Sequence, residues 1–480
     1  MFTFPKYIFK KISPFFYYLN RFLIPFSAFT AFIIYQVFIG VNKYGRWQFA
    51  EFYTMAERFL INGRMYVDIL SGEFDIQSLY FPGVSFLIMP FIKFTDLNPG
   101  SILSIIVMLS FSLLFVSMQR ITNQVVDPNR NNLLFLILGF ILFFGFFMFY
   151  LTELKADPLM ISFAAFLALI IYDFLNKKIT LIKIFSILII AYLCGILKQQ
   201  SISIYIALSI FCLCASKYSL HKRIIVITVL GLSGILVLIT ILNIENAFFY
   251  TIKVPATHGI LSLRVWGTML LNEVGSSWFY IAVVSIAIIT NKRLRDINSF
   301  EVLWLIVCLC FGIMSFISFL KSGSNEGNLQ TGLIVFLPFF CQGMSYLLKN
   351  RNISSIFLTI TFLIIMGQYS MLSYHQLRRF RVVNEDKKVI HKYLSENFKG
   401  RMIGYVSSDY WLVKNAGLIP YPNIDTYSNY INNQKEIKIE NMMDLIFGRP
   451  DNIDFKDFNQ IIIENLNDSR SVFVKRNTNP

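Results

Sequence analysis

The sequence predicts a mainly α-helical membrane protein, a polytopic bundle of about 11 spans followed by a small extracytoplasmic α/β domain. Three observations carry that prediction. Of the 480 residues 55% are hydrophobic and 15% charged, with 50 Phe and a mean hydropathy of +0.58, whereas soluble chains carry about 25% charge. Apolar runs recur along the chain at roughly the 17–22 residues that cross a bilayer's hydrocarbon core. Beyond residue 375 hydropathy falls, and short helical and strand-like patterns alternate.

The N-terminus is basic (Lys6, Lys10, Lys11, Arg21) ahead of a span at 22–41. With no short apolar stretch ending in a small-residue cleavage site in view, it is expected to be an uncleaved anchor rather than a signal peptide. Residues 42–97 form a long first exterior loop. Within it "RWQFAEFYTMAERFLINGRMYV" places Phe49, Phe52, Tyr53, Ala56, Phe59 and Leu60 on one side of a helix, while Glu57 and Arg58 read as its solvated face. That helix is too charged to span and suits the membrane interface. "SLYFPGVSFLIMPFIKF" is short and broken by Pro82 and Pro90, a re-entrant or interfacial segment.

Further spans are expected at 98–119, 132–150, 157–175, 181–197, 200–216, 224–242, 276–290, 300–320, 330–348 and 353–373, closing a membrane domain over 1–375. Residues 376–480 run from helical "EDKKVIHKYLSENF" through strand-like "RMIGYVSS" and Pro- and Asn-rich turns to "SVFVKRN", a small α/β domain. The six cysteines all fall in apolar segments without His or carboxylate beside them, so they read as buried, inert thiols.

Sorting charge by side orients the chain. The N-terminus and alternate loops near 120–130, 176–183, 217–223, 291–296 and 349–351 hold 17 of the 43 Lys and Arg against four acids. The opposite, longer loops hold 10 against 11 acids, and the segment after 375 holds 16 against 13. The net charge of +15 is therefore mostly cytoplasmic loop charge, placing the N-terminus inside and the C-terminal domain outside. A nucleic-acid partner is not needed to explain it.

Charges that composition does not explain gather at exterior helix ends. "FYLTELKADPLMISF" sets Glu153, Lys155 and Asp157 among apolar neighbours. Lys198-Gln199-Gln200 and Lys321 to Glu326 lie at equivalent ends, with Glu51 in the first loop and Lys253, His258 and Arg264 in another. Ionisable groups at membrane depth are costly unless partnered, so such a cluster marks a functional site. Each also has a plain structural reading. Lys198 can snorkel from a helix end, and Asp157 before Pro158 is a standard helix start with Asp as cap. His258 is a single loop histidine, and the four scattered histidines argue for no metal site.

A carboxylate in such a loop can act as general base, and lysines can hold a phosphate and stabilise it as a leaving group. Nucleotide sugars are absent outside the cytoplasm, so an activated donor would arrive on a lipid phosphate.

Here the residues resemble the GT-C superfamily of polyprenyl-phosphate-dependent glycosyltransferases, in particular the bacterial mannosyltransferase and aminoarabinose-transferase kind. "EFYTMAERFLINGRMYVD" carries Glu51, Ala56, Leu60, Gly63, Tyr66 and Asp68 at the family's positions, and Tyr80-Phe81-Pro82 matches its later Tyr-x-Pro. Lys155-Ala156-Asp157, Lys198-Gln199 and the loop from Lys321 to Asn325 match three further motifs, all on one side of the membrane. The resemblance implies a GT-C-type bundle in the bacterial plasma membrane and inverting transfer to an acceptor hydroxyl. Glu51 would be the base, with Asp68 in reserve because the family's acid is often Asp. Lys198 and Lys321, joined by Lys155, would hold the departing phosphate beside Gln199 and Asn325, and Asp157 would orient acceptor or lysine. Tyr66, Arg264 and His258 stand as further candidates. A monophosphate donor needs no metal, whereas a pyrophosphate donor would call for Mg²⁺ or Mn²⁺. The acceptor is a glycan, a lipid or a protein.

Two rival readings follow from the same residues. A lipid-linked glycan polymerase or ligase would use several arginines in a late exterior loop, where Arg264 is alone. A lipid or sugar transporter or flippase would show repeat symmetry and midplane charges.

Overall fold

The computed structural model describes residues 47–68, 75–76, 78–126, 155–257, 259–260, 262–321, 326–349, 387–405, 410–423, 445–447, 458–462 and 471–475, with Leu136 and Gly139. The predicted spans at 22–41 and 353–373, and nearly all of 132–150, lie outside these residues. So do Glu153, His258 and Asn325.

The first loop forms α1 (Trp47–Asn62) and α2 (Gly83–Phe94), packed on each other. The helical body continues with α3 (Pro99–Val125), α4 (Asp157–Asn176), α5 (Leu181–Leu197), α6 (Ile202–Cys214), α7 (Leu220–Asn243), α8 (Leu263–Thr290) and α9 (Phe300–Phe319). Of these, α3, α4, α7 and α9 are long and apolar enough to cross a membrane, while α5, α6 and the 277–290 part of α8 are shorter apolar helices. Starts are set locally. Asn98 accepts a hydrogen bond from Ser101 N at 2.9 Å with Pro99 in the first turn, and Ser299 accepts from Val302 N at 3.2 Å. In the packing α4 touches both α3 and α5, α5 touches α7, and α6 lies on α9.

Several sequence expectations are corrected. The span expected at 276–290 is the second half of the continuous 28-residue α8, so Arg264 stands in its first turn rather than in a loop. The span expected at 330–348 is two helices, α10 (Glu326–Ile334) and α11 (Leu337–Lys349). Pro338 causes the break, because its ring meets the carbonyl four residues back, at Ile334. The Val335 carbonyl, lying in the break, accepts from Trp304 Nε1 at 3.1 Å and Cys308 Sγ at 3.2 Å. The cysteines are not uniformly buried: Cys214 is exposed and Cys310 half-buried.

In the C-terminal part α12 (387–397) precedes β1 (Met402–Tyr405), α13 (Tyr410–Asn415), β2 (Ile419–Asn423), β3 (Leu445–Phe447), β4 (Phe458–Ile462) and β5 (Ser471–Lys475). The sheet order is β2-β1-β3-β5-β4; β1 runs parallel to β2 and β3, and β5 antiparallel to β3 and β4. Its helix α13 docks on α1. The Trp411 ring stacks on Phe49 at 6.1 Å and meets Tyr53 edge-on at 5.4 Å, and Lys414 Nζ lies 3.4 Å from Glu57 Oε2. Glu57 and Arg58 are therefore not the solvated face expected of them. Arg58 pairs with Asp75 at 2.7 Å and donates to the carbonyls of Met65 and Ile76, pinning the chain that follows α1.

Candidate functional site

Asp157 opens α4, but not as its cap. Ala156 holds the capping position without a side-chain bond, and Asp157 with Pro158 form the first turn. The carboxylate is instead turned to Lys198, whose Nζ lies 2.8 Å from Oδ1. Both residues are buried, 2% and 6% exposed. Lys198 follows the last residue of α5 with an extended backbone (φ −159°, ψ 147°), which ends the helix and starts a 3₁₀ turn over Gln199–Ser201. The same extended residue aims consecutive side chains at different neighbours. Gln199 Nε2 donates to Leu79 O at 2.8 Å and Thr251 O at 2.9 Å, and Gln200 Nε2 donates to Ser318 Oγ at 2.8 Å. One turn thereby ties the first loop, the segment after α7 and the end of α9 to the ion pair.

The Lys198 ammonium also lies 5.3 Å from the centre of the Tyr80 ring, an aromatic cation contact. Burial pushes this amine toward its neutral form, but the Asp157 carboxylate, the Tyr80 oxygen and the Asp157 hydrogen bond outweigh it, so its pKa stands above the ordinary lysine value. Tyr80 is fixed in turn: its carbonyl accepts from Tyr66 Oη at 2.7 Å, and Tyr66 stacks on Tyr250 at 5.8 Å. Burial raises the Tyr66 phenol far above its usual range, so it serves as a neutral donor. Gly83 lets this layer close. A Cβ there would stand 2.6 Å from Ile196 O, two residues before Lys198, so only glycine allows α2 to approach the end of α5 this closely.

Glu51 is buried at 6% exposure on α1. It precedes by one turn Met55, which packs with Tyr66, Phe81, Ile196 and Tyr250. Beside it, Phe52 O accepts from Ser85 Oγ at 3.0 Å and the Phe52 ring lies 6.1 Å from that of Tyr80. Lys155 is buried just ahead of Asp157, and Asp68 is half-buried beyond the end of α1. Lys321 donates to Pro255 O at 3.3 Å and pairs with Ile260 in an isolated β-bridge, holding the loop before α8. Arg264 is exposed. Among the described residues no three or more His, Cys, Asp or Glu side chains group closely enough to hold a metal ion.

The structure thus joins Asp157, Lys198, Gln199 and Tyr66, with Tyr80, Gln200, Thr251 and Ser318, into one connected assembly. Tyr80 and Gln200 stood in motifs already singled out, without a role. Nothing in the sequence pointed to Thr251 or Ser318, because their part depends on a carbonyl and a hydroxyl brought in by remote elements. Chemically, a buried lysine paired with an aspartate under an aromatic ring can receive an oxyanion, and the buried Glu51 carboxylate on α1 can accept a proton.

The fold has solved counterparts. The chain aligns with the crystal structure of ArnT from Cupriavidus metallidurans in the apo state, with TM-score 0.55 and 11% identity over 92% of this chain and 97% of that one. The structure of the same ArnT bound to undecaprenyl phosphate aligns at TM-score 0.55 and 11% identity, covering 95% and 98%. No family model and no curated protein matches the sequence.

Proposed function

We propose that the chain is an integral-membrane glycosyltransferase, moving a sugar from a polyprenyl-phosphate donor to an acceptor hydroxyl on the extracytoplasmic side of a bacterial plasma membrane. The observation that carries this reading is the buried Lys198–Asp157 pair roofed by Tyr80, in a fold whose solved example holds a polyprenyl phosphate. A permanently charged, immobilised ammonium suits a phosphate oxyanion that gains charge as it leaves.

In the proposed reaction the Glu51 carboxylate takes the acceptor's hydroxyl proton as that oxygen bonds to the anomeric carbon. The bond from that carbon to the phosphate oxygen breaks on the opposite face, its electron pair leaving with the lipid phosphate, so configuration inverts. Lys198 receives the phosphate, with Lys155 and Lys321 as further cations and Asn325 as an amide donor; Gln199, expected to bind the phosphate too, positions the turn instead, because both its amide hydrogens are given to Leu79 O and Thr251 O. Asp157 holds Lys198 charged and aimed. Lysines carry the charge neutralisation that a divalent ion would otherwise supply.

The test is transfer of labelled sugar from polyprenyl-phosphate sugars to a membrane extract. Glu51→Gln should lower transfer by about 10²–10⁴-fold, the usual contribution of a general base, with folding intact. Loss in Asp68→Asn with activity retained in Glu51→Gln would move the base to Asp68. Absence of transfer by the unaltered protein across monophosphate and pyrophosphate donors, with or without Mg²⁺, would sink the reading.

A further inference from the structure

At the opposite end of the helices the chain builds a second charged place. An open cleft of about 790 Å³ lies where α4 ends and α5 and α7 begin, lined by Asn176, Lys177, Lys178, Thr180, Lys183 and Lys222. The four lysines come from two stretches of chain, residues 177–183 and Lys222. Lys177 and Lys183 share the one carboxylate of Asp173, at 2.7 and 2.6 Å. Lys222 donates to the carbonyls of Leu175 and Lys177 at 3.0 and 2.6 Å, closing the end of α4, and Lys178 is exposed at the rim. One aspartate among four ammonium groups leaves the cleft with an excess of positive charge, and their mutual repulsion is relieved by an anion.

Apolar side chains neighbour the lysines along both helices. Leu181, Ile182 and Phe185 on α5 and Leu220 and Ile224 on α7 are large, exposed hydrophobic side chains beginning at the cleft itself. Charge-rich loops alone would satisfy the positive-inside rule with scattered lysines. Here they converge on a concave site continuous with greasy helix faces, which fits a ligand having an anionic head and hydrocarbon tails.

We infer that this cleft binds the phosphate headgroup of an anionic phospholipid, its acyl chains lying against α5 and α7. The site is separate from the Asp157–Lys198 assembly and independent of the reaction proposed for it.

The test is native mass spectrometry of the full chain from detergent, with phosphatidylglycerol and phosphatidylcholine added in competition. Thermal unfolding with each lipid, and with inorganic phosphate alone, runs in parallel. Phosphatidylglycerol should be retained in preference and raise the unfolding midpoint, while inorganic phosphate does neither. Lys178→Gln should weaken retention about five-fold, equivalent to about 1 kcal/mol per cation at an anionic headgroup. Lys177→Gln/Lys178→Gln should weaken it further, and Lys292→Gln on a different loop should leave it unchanged. Equal retention of the two lipids, equal retention by wild type and the double variant, or stabilisation by inorganic phosphate to the same extent would each overturn the inference.

Discussion

Gly83→Ala offers a sharp test of how the site is held together. The added Cβ would sit 2.6 Å from the carbonyl oxygen of Ile196 and 3.1 Å from Ile196 Cγ1. Ordinary contact of a Cβ begins at 3.4 Å, so α2 and the end of α5 must separate by roughly 0.8 Å, the difference from 2.6 Å. Both partners are helical backbone, and neither can turn aside as a side-chain tip would. Overpacking of this kind costs about 1–3 kcal/mol. The consequence for function is larger than the consequence for stability. The displaced segment carries Lys198 two residues later, and Tyr80 rides on the chain entering α2. Misplacement approaching 1 Å costs up to about 10²-fold in rate. Gly231→Ala is the matched control, a glycine in α7 with nothing within 4 Å of its added Cβ; it should be neutral or stabilising by about 0.4–1 kcal/mol. The assay pairs thermal unfolding in detergent with initial rates of sugar transfer. If Gly83→Ala behaves like Gly231→Ala in both readouts, the close approach does not position Lys198 and the reasoning fails.

Other outcomes follow from the same geometry. Lys198→Met strands a buried carboxylate and should destabilise by about 3–5 kcal/mol, whereas Lys198→Met combined with Asp157→Leu should recover much of that loss; simple additivity in the double variant would contradict a coupled pair. Because the folded-state pKa of Lys198 is raised, its stabilising contribution is fully present below the unfolded lysine pKa and is lost only as pH rises through the folded value. Unfolding midpoints should therefore show no loss from this pair between neutral pH and about pH 10, and an earlier decline absent from Lys198→Met would mark the amine as neutral. Tyr66→Phe leaves the Tyr80 carbonyl without its donor and should cost about 1–3 kcal/mol, measured by thermal unfolding; no change would mean water replaces the hydroxyl. Trp411→Ala should cost about 3–5 kcal/mol at the α1–α13 contact and expose the C-terminal part to limited proteolysis. The half-exposed Lys414→Gln should cost no more than about 1 kcal/mol.

Composition and periodicity alone determined the membrane class, the helical character and the amphipathic α1, because hydrocarbon thickness and helix pitch act on every residue independently of the fold. The helical and strand-like patterns after residue 375 were legible for the same reason, as were the charge clusters at Asp157 and Lys198, since an ionisable residue in an apolar run is conspicuous anywhere. Tertiary structure alone decided what those charges do. Asp157 had the local chemistry of a helix cap, yet a lysine 41 positions later competes for its carboxylate in a dry setting, where an ion pair outweighs a backbone bond. Glu57 and Arg58 looked solvated because a single helix pattern cannot reveal that Lys414, 357 residues away, and Asp75 would cover that face. The break at Pro338 was visible as a proline, but a continuous helix there would have left Trp304 and Cys308 without the carbonyl they share. Local patterns set which segments are helices and where charge is costly; the partners that meet that cost come from remote parts of the chain, and only the packed bundle brings them within reach.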